Sequence, residues 1–133
     1  MRALRRPVPR SPLRFVAPVA GRIGDRYGPR GVQLHSGMDY PAPAGTPVGA
    51  AGRGCVSYAG FDGGGYGNLV VIRHRMGMTT WYAHLASIAV RPGACVVAGN
   101  RIGTVGSTGR SSGPHLHFEM RLRGAVLDPL TGL

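Results

Sequence analysis

Residues 69–84 read LVVIRHRMGMTTWYAH. Two runs rich in β-branched and aromatic residues, Leu69–His74 and Thr79–His84, flank a short break at Gly77. Side chains of that kind suit a pleated, half-buried backbone, and both runs read as strands. The signal repeats outward at Val48–Ala51, Cys55–Ala59, Ile88–Val90, Cys95–Ala98, Ile102–Val105 and His115–Leu122. The runs recur at roughly eight- to twelve-residue spacing, parted by Gly, Pro, Asp or Asn, as in an all-β domain. Gly60–Gly67 (GFDGGGYG) is too rich in glycine for a strand interior and reads as a hairpin loop. The best helical candidate, Ala83–Ala89, is weak, because no long segment holds a 3.6-residue stripe unbroken by Gly or Pro.

The chain has 133 residues, 43% of them hydrophobic and 16% charged, a globular balance that fits one domain. Its 23 glycines and 11 prolines fit many turns and short strands. All 16 basic residues are arginine and the net charge is +11. Arg2, Arg5, Arg6, Arg10 and Arg14 crowd the N-terminus, so residues 1–13 read as a disordered Arg/Pro-rich arm and residues 14–133 as the domain. The charge suits either a solvated tail or attraction to a polyanion such as nucleic acid or a cell-wall polymer. No run approaches the ~18 apolar residues of a membrane span. The basic N-terminus lacks the apolar stretch of a signal peptide, being interrupted by Pro7, Pro9 and Pro12.

Five histidines stand against only five acids. In PHLHFE, residues 114–119, a strand would turn His115 and His117 to one face and Leu116 and Phe118 to the other. That spacing suits one metal ligand and one imidazole beside it, although an isolated H-x-H more often lies on a solvated face. In HSGMD, residues 35–39, a straight strand would hold His35 and Asp39 roughly 13 Å apart, and Gly37 permits the turn that joins them. His84, in WYAHL, reads by itself as a half-buried structural histidine, and His74 has a structural or surface reading. Jointly the motifs supply two His and one Asp with a fourth position open, which is the pattern of catalytic rather than structural zinc. The remaining imidazoles, His84 and His115, suit a base and an oxyanion stabiliser.

HSGMDYPAPAGTPV (35–48), YGNLVVIRH (66–74), TTWYAHL (79–85) and GTVGSTGRSSGPHLHFEMR (103–121) together resemble the lysostaphin-type, or LytM-like, zinc metallopeptidases. The likeness runs from FVAPVAGRIGDRYGPR (15–30) to VLDP (126–129). It implies an antiparallel β-sheet domain with a loop-walled groove, the duplicated hybrid motif. It also implies zinc held by His35, Asp39 and His117, with His115 and His84 as the catalytic histidines. The substrates it implies are peptides of bacterial peptidoglycan, either glycine bridges or stem-peptide cross-links. A zinc-activated water would attack, in the cell wall or periplasm, with the protein acting as a monomer. The arm offers no His, Asn or Asp to occupy the fourth zinc position, so an open site is expected.

Two rival readings are a LytM-like activator of amidases that has lost its metal ligands, and a nucleic-acid-binding β-domain. The first expects missing ligands, and the second leaves the five-residue constellation to chance. The enzyme reading therefore expects a peptidoglycan substrate, room for anionic wall polymers and no nucleic acid. Cys55 and Cys95 match no zinc spacing and are either two buried thiols or one disulfide between strand starts. The acidic residue expected in relatives at position 95, replaced here by cysteine, favours the bridge.

Overall fold

The computed structural model describes residues 11–24, 27–30 and 33–133. Among them lie eleven strands and no α-helix. They are β1 (Gly28–Arg30), β2 (Gln33–His35), β3 (Met38–Pro41), β4 (Pro47–Gly49), β5 (Gly54–Asp62), β6 (Gly67–Arg73), β7 (Met78–Ile88), β8 (Cys95–Val96), β9 (Arg101–Val105), β10 (His115–Leu122) and β11 (Ala125–Leu127). Every pairing is antiparallel. The path β11-β10-β7-β6-β5-β8 forms the main sheet, with β3 added to β10 and a β4-β9 pair added to β7, while β1 and β2 form a separate hairpin.

Alternation along the central strands builds two unequal faces. Leu116, Phe118 and Met120 of β10 are fully buried with Met78 and Tyr82 of β7, Val70 and Ile72 of β6, and Met38 and Tyr40 of β3. The intervening residues point to the other face, where Leu69, Val71 and Ala83 pack with Tyr66 and Trp81 in a second, smaller cluster. Burying the first face and leaving the second half-covered is what makes room for a groove.

The longest strand, β7, changes partners along its length. Its first half pairs with β6 and β10, and Leu85–Ile88 pair with β9 across a register shift. The bend falls at His84, whose φ of 61° lies in the left-handed region that a non-glycine residue occupies only at a cost. Strand alternation therefore stops there, and Tyr82, Ala83, His84 and Leu85 are all buried.

The fold differs from the sequence reading at several points. Residues 83–88 are strand, not helix, because Ala83 pairs with β10, Leu85 with β6, and Leu85, Ser87 and Ile88 with β9. Ile88–Val90 is no separate strand: Ile88 ends β7 and the rest is loop. The glycine-rich loop is shorter than Gly60–Gly67, since β5 runs to Asp62 and β6 begins at Gly67. Strands β1, β2, β3 and β11 went unread because three or four residues carry too little alternation. Residues 1–10 of the arm lie outside the described residues. Ser11–Leu13 do not extend away from the domain: the Ser11 amide donates to Thr131 Oγ1 at 2.8 Å and Leu13 packs on the core.

Cys55 faces Cys95 in the β5-β8 register, and the two form a disulfide. The bridge spans 40 residues, which on the chain-entropy model contributes about 4 kcal/mol. The Cys55→Ser/Cys95→Ser double variant is expected to lose roughly that much in urea unfolding, and a change under ~1 kcal/mol would show that the sheet alone holds this edge.

Candidate metal centre

The strand periods bring the scattered motifs together. In β10, His115, His117, Glu119 and Arg121 share the face opposite Leu116, Phe118 and Met120. Register places His117 opposite Asp39 of β3 on one side and Ala83 of β7 on the other. His35 ends β2, and the chain bends at Ser36–Gly37 before entering β3. The need for glycine at 37 differs from the turn expected. Gly37 has no positive φ; it lies so close to β10 that a Cβ there would sit 2.3 Å from the Phe118 carbonyl oxygen. Close approach, not backbone freedom, joins His35 to Asp39.

His35, Asp39 and His117 each turn one donor atom inward, all within 4.8 Å of one another. Asp39 Oδ1 lies 2.9 Å from His117 Nδ1 and 3.4 Å from His35 Nε2. Two imidazoles and a carboxylate at this spacing fit a zinc ion, whose bonds to N and O ligands are about 2.0–2.2 Å. His115 Nε2 stands 3.8 Å from Asp39 Oδ1, at the edge of the cluster. His84 completes it, with ring centres 4.9 Å from His115 and 5.9 Å from His117.

The two outer histidines are held alike. His115 Nδ1 lies 2.9 Å from the Gly113 carbonyl, and His84 Nδ1 lies 2.8 Å from the Thr108 carbonyl. A carbonyl only accepts, so Nδ1 carries the proton and Nε2 of each neutral ring is a bare acceptor. Burial lowers the His84 pKa, outweighing its bond to Thr108, and favours that neutral form. Thr108 is itself fixed by two tight loop contacts. Gly67 and Gly109 both have positive φ, and a Cβ on either would fall 2.4 Å from the other loop's backbone. Gly67, at the start of β6, and Gly109 of the 106–113 loop thus let two groove walls touch and aim His84.

Glu119 went unremarked among the site residues in the sequence, though it shares the β10 face and is one of only five acids. It is fully buried and accepts from Ser36 Oγ (2.8 Å), Tyr66 OH (2.7 Å), Arg121 Nε (3.0 Å) and Arg121 Nη2 (2.8 Å). Its Oε2 lies 2.7 Å from His117 Nε2, on the side of the ring away from Asp39. Burial opposes its charge, but these bonds prevail and hold its pKa down to about 2. Arg121 is locked in turn, its guanidinium 3.7 Å above the Trp81 ring. A carboxylate behind a ligand histidine fixes the ring's orientation and raises its basicity. Glu119→Gln is therefore expected to weaken zinc binding about 10- to 100-fold with the fold intact, as read by competition with a chromogenic chelator. Unchanged affinity would reduce Glu119 to a packing role.

His74 stands apart. It is buried, with Nδ1 2.7 Å from the Arg53 carbonyl and Nε2 2.8 Å from Thr80 Oγ1, a structural role.

The profile of Peptidase family M23 matches residues 33–129. The chain belongs to peptidase family M23. The M23 domain is 41% identical over 140 residues to peptidoglycan DD-endopeptidase ShyC of Vibrio cholerae, covering 98% of this chain and 30% of that protein. It superposes on a zinc-containing peptidase from Vibrio cholerae with a TM-score of 0.80 at 35% identity, covering 86% and 39% of the two chains. With the catalytic domain of the antimicrobial peptidase lysostaphin from Staphylococcus simulans the TM-score is 0.77 at 36% identity, covering 83% and 90%. The antiparallel lysostaphin-type fold expected from the motifs is the fold found. The chain spans less than two fifths of the length of curated relatives it matches, and 30% of ShyC.

Proposed function

We propose that this M23 domain is a zinc metalloendopeptidase that hydrolyses peptide cross-links of bacterial peptidoglycan. The observation that carries the reading is a complete donor set, His35, Asp39 and His117, flanked by two imidazoles each held through Nδ1 by a backbone carbonyl. An amidase activator that had dispensed with catalysis would have no use for all five residues. The names of the relatives support the same substrate.

The chemistry that zinc supplies in such a site is Lewis acidity toward the scissile carbonyl and a lowered pKa for water. The protein does the rest. His115 Nε2 accepts the proton of the attacking water and returns it to the leaving amine. His84 becomes a hydrogen-bond donor toward the oxyanion only once Nε2 is protonated, because its Nδ1–H is committed to Thr108. In its neutral form it is a second base, which lets the two histidines exchange roles. Glu119 holds His117 to its ligand position, and the 63–66 and 106–113 loops wall the groove where an extended peptide lies along the sheet.

A disulfide persists outside a reducing cytosol, so Cys55–Cys95 supports a cell-wall or periplasmic location. Among the described residues no helix is long and apolar enough to cross a membrane. The test is digestion of purified peptidoglycans of different cross-link type, with the released ends identified by mass. New peptide amino and carboxyl ends that vanish with a chelator and return with zinc are expected. Release of sugar ends, or cleavage indifferent to the chelator, would overturn the reading.

A further inference from the structure

Two cavities meet at the metal centre, one of about 320 Å³ toward Tyr66 and one of about 300 Å³ toward Ser111 and Ser112. His84, His117 and Arg110 line both. Arg110 is exposed at the lip, yet its backbone is held, because its amide donates to the Gly65 carbonyl at 2.8 Å. The neighbouring Gly109 packs closely against Gly67, which adds a second contact between this loop and the start of β6. The charges around it are largely consumed. Arg121 is neutralised by Glu119 and stacked on Trp81, and Glu119 is bonded on both oxygens. Among the described residues Arg110 makes no ion pair and its guanidinium donates to no protein group.

A guanidinium with unspent donors, on a held backbone and at a residue that lines both cavities, suits a carboxylate. We infer that Arg110 is a specificity-determining residue that selects peptides bearing a free carboxylate within about two residues of the cleaved bond. Resting on the peptidase reading above, this directs the enzyme to stem-peptide cross-links, which carry free carboxylates, and away from uncharged glycine bridges. The guanidinium is a two-pronged donor, and a carboxylate oxygen pair matches its fork. An amide in the same place presents one acceptor and no charge.

The experiment compares the full chain, zinc-loaded, with its Arg110→Gln and Arg110→Lys variants on three synthetic substrates. These are a cross-linked stem-peptide dimer with free carboxylates, the same dimer amidated, and a pentaglycine-bridged dimer. Equilibrium binding of the first two to the metal-free chain gives a readout independent of turnover. The wild type should prefer the free-carboxylate dimer. Arg110→Gln should lower kcat/KM on it about tenfold, chiefly through KM, with zinc content unchanged. On the amidated dimer the same variant should match the wild type, and Arg110→Lys should recover part of the loss. An equal loss on free and amidated dimers, or no loss on either, would overturn the inference while leaving the peptidase reading standing. A wild-type chain that cleaves none of the three would overturn both.

Discussion

His117→Ala is expected to leave the chain without zinc under conditions where the wild type holds one ion per molecule. Removing one of three protein ligands should cost more than the roughly 10- to 100-fold lost when an outer-shell partner is removed. His35→Ala and Asp39→Ala should behave alike, since each withdraws one of three donors that lie within 4.8 Å of one another. Metal analysis after dialysis decides the matter, and full occupancy in His117→Ala would remove that residue from the ligand set. The same site makes zinc uptake depend on pH. Burial by itself lowers the His117 pKa, but bonds to Asp39 and Glu119 outweigh it and hold the metal-free ring up to about 9. Below that pH the ring carries a proton that the metal must displace, so zinc affinity should rise as pH climbs toward 9. Calorimetry at pH 7 in buffers of different ionisation enthalpy should show proton release, and buffer-independent heats would contradict it.

His115→Ala should keep its zinc and lose about 10²–10⁴ in turnover, the usual contribution of a general base. The split follows from the geometry. His115 lies at the edge of the donor cluster, with Nε2 3.8 Å from Asp39 Oδ1, and it is fixed by Gly113 rather than by any ligand. His84→Ala should also retain metal, but its loss should be smaller if His115 is the principal base. The measurement is zinc content and cleavage rate on the same preparation. A metal-free His115→Ala protein would make His115 a ligand, and a fully active one would shift the base role to His84.

Most of the site was legible in the chain because two of its motifs are local. H-x-H in a strand puts two imidazoles on one face by period alone, and β10 does so. The other pair, His35 and Asp39, was legible as residue types but not for the right reason. Gly37 is required by the Phe118 carbonyl of β10, some eighty residues downstream, and no local pattern records that neighbour. Glu119 shows the same limit from the other side. Its place on the histidine face could be counted from the strand period, but its function depends on Ser36, Tyr66 and Arg121 converging on it in a fully buried pocket. His84 read by itself as a structural histidine; what distinguishes it is a left-handed backbone at the β7 bend and a carbonyl supplied by a distant loop.

The sequence by itself determined the all-β class, the central strands, the donor types and the pair of cysteines suited to a bridge, because each follows from side-chain chemistry at short spacing. Only the tertiary structure decided where β7 bends, how the short strands β1, β2, β3 and β11 pair, which carboxylate stands behind His117, and that Arg110 lines both cavities beside the histidine cluster. Those features rest on contacts between residues far apart in the chain, where backbone packing and register set distances that no local period can encode.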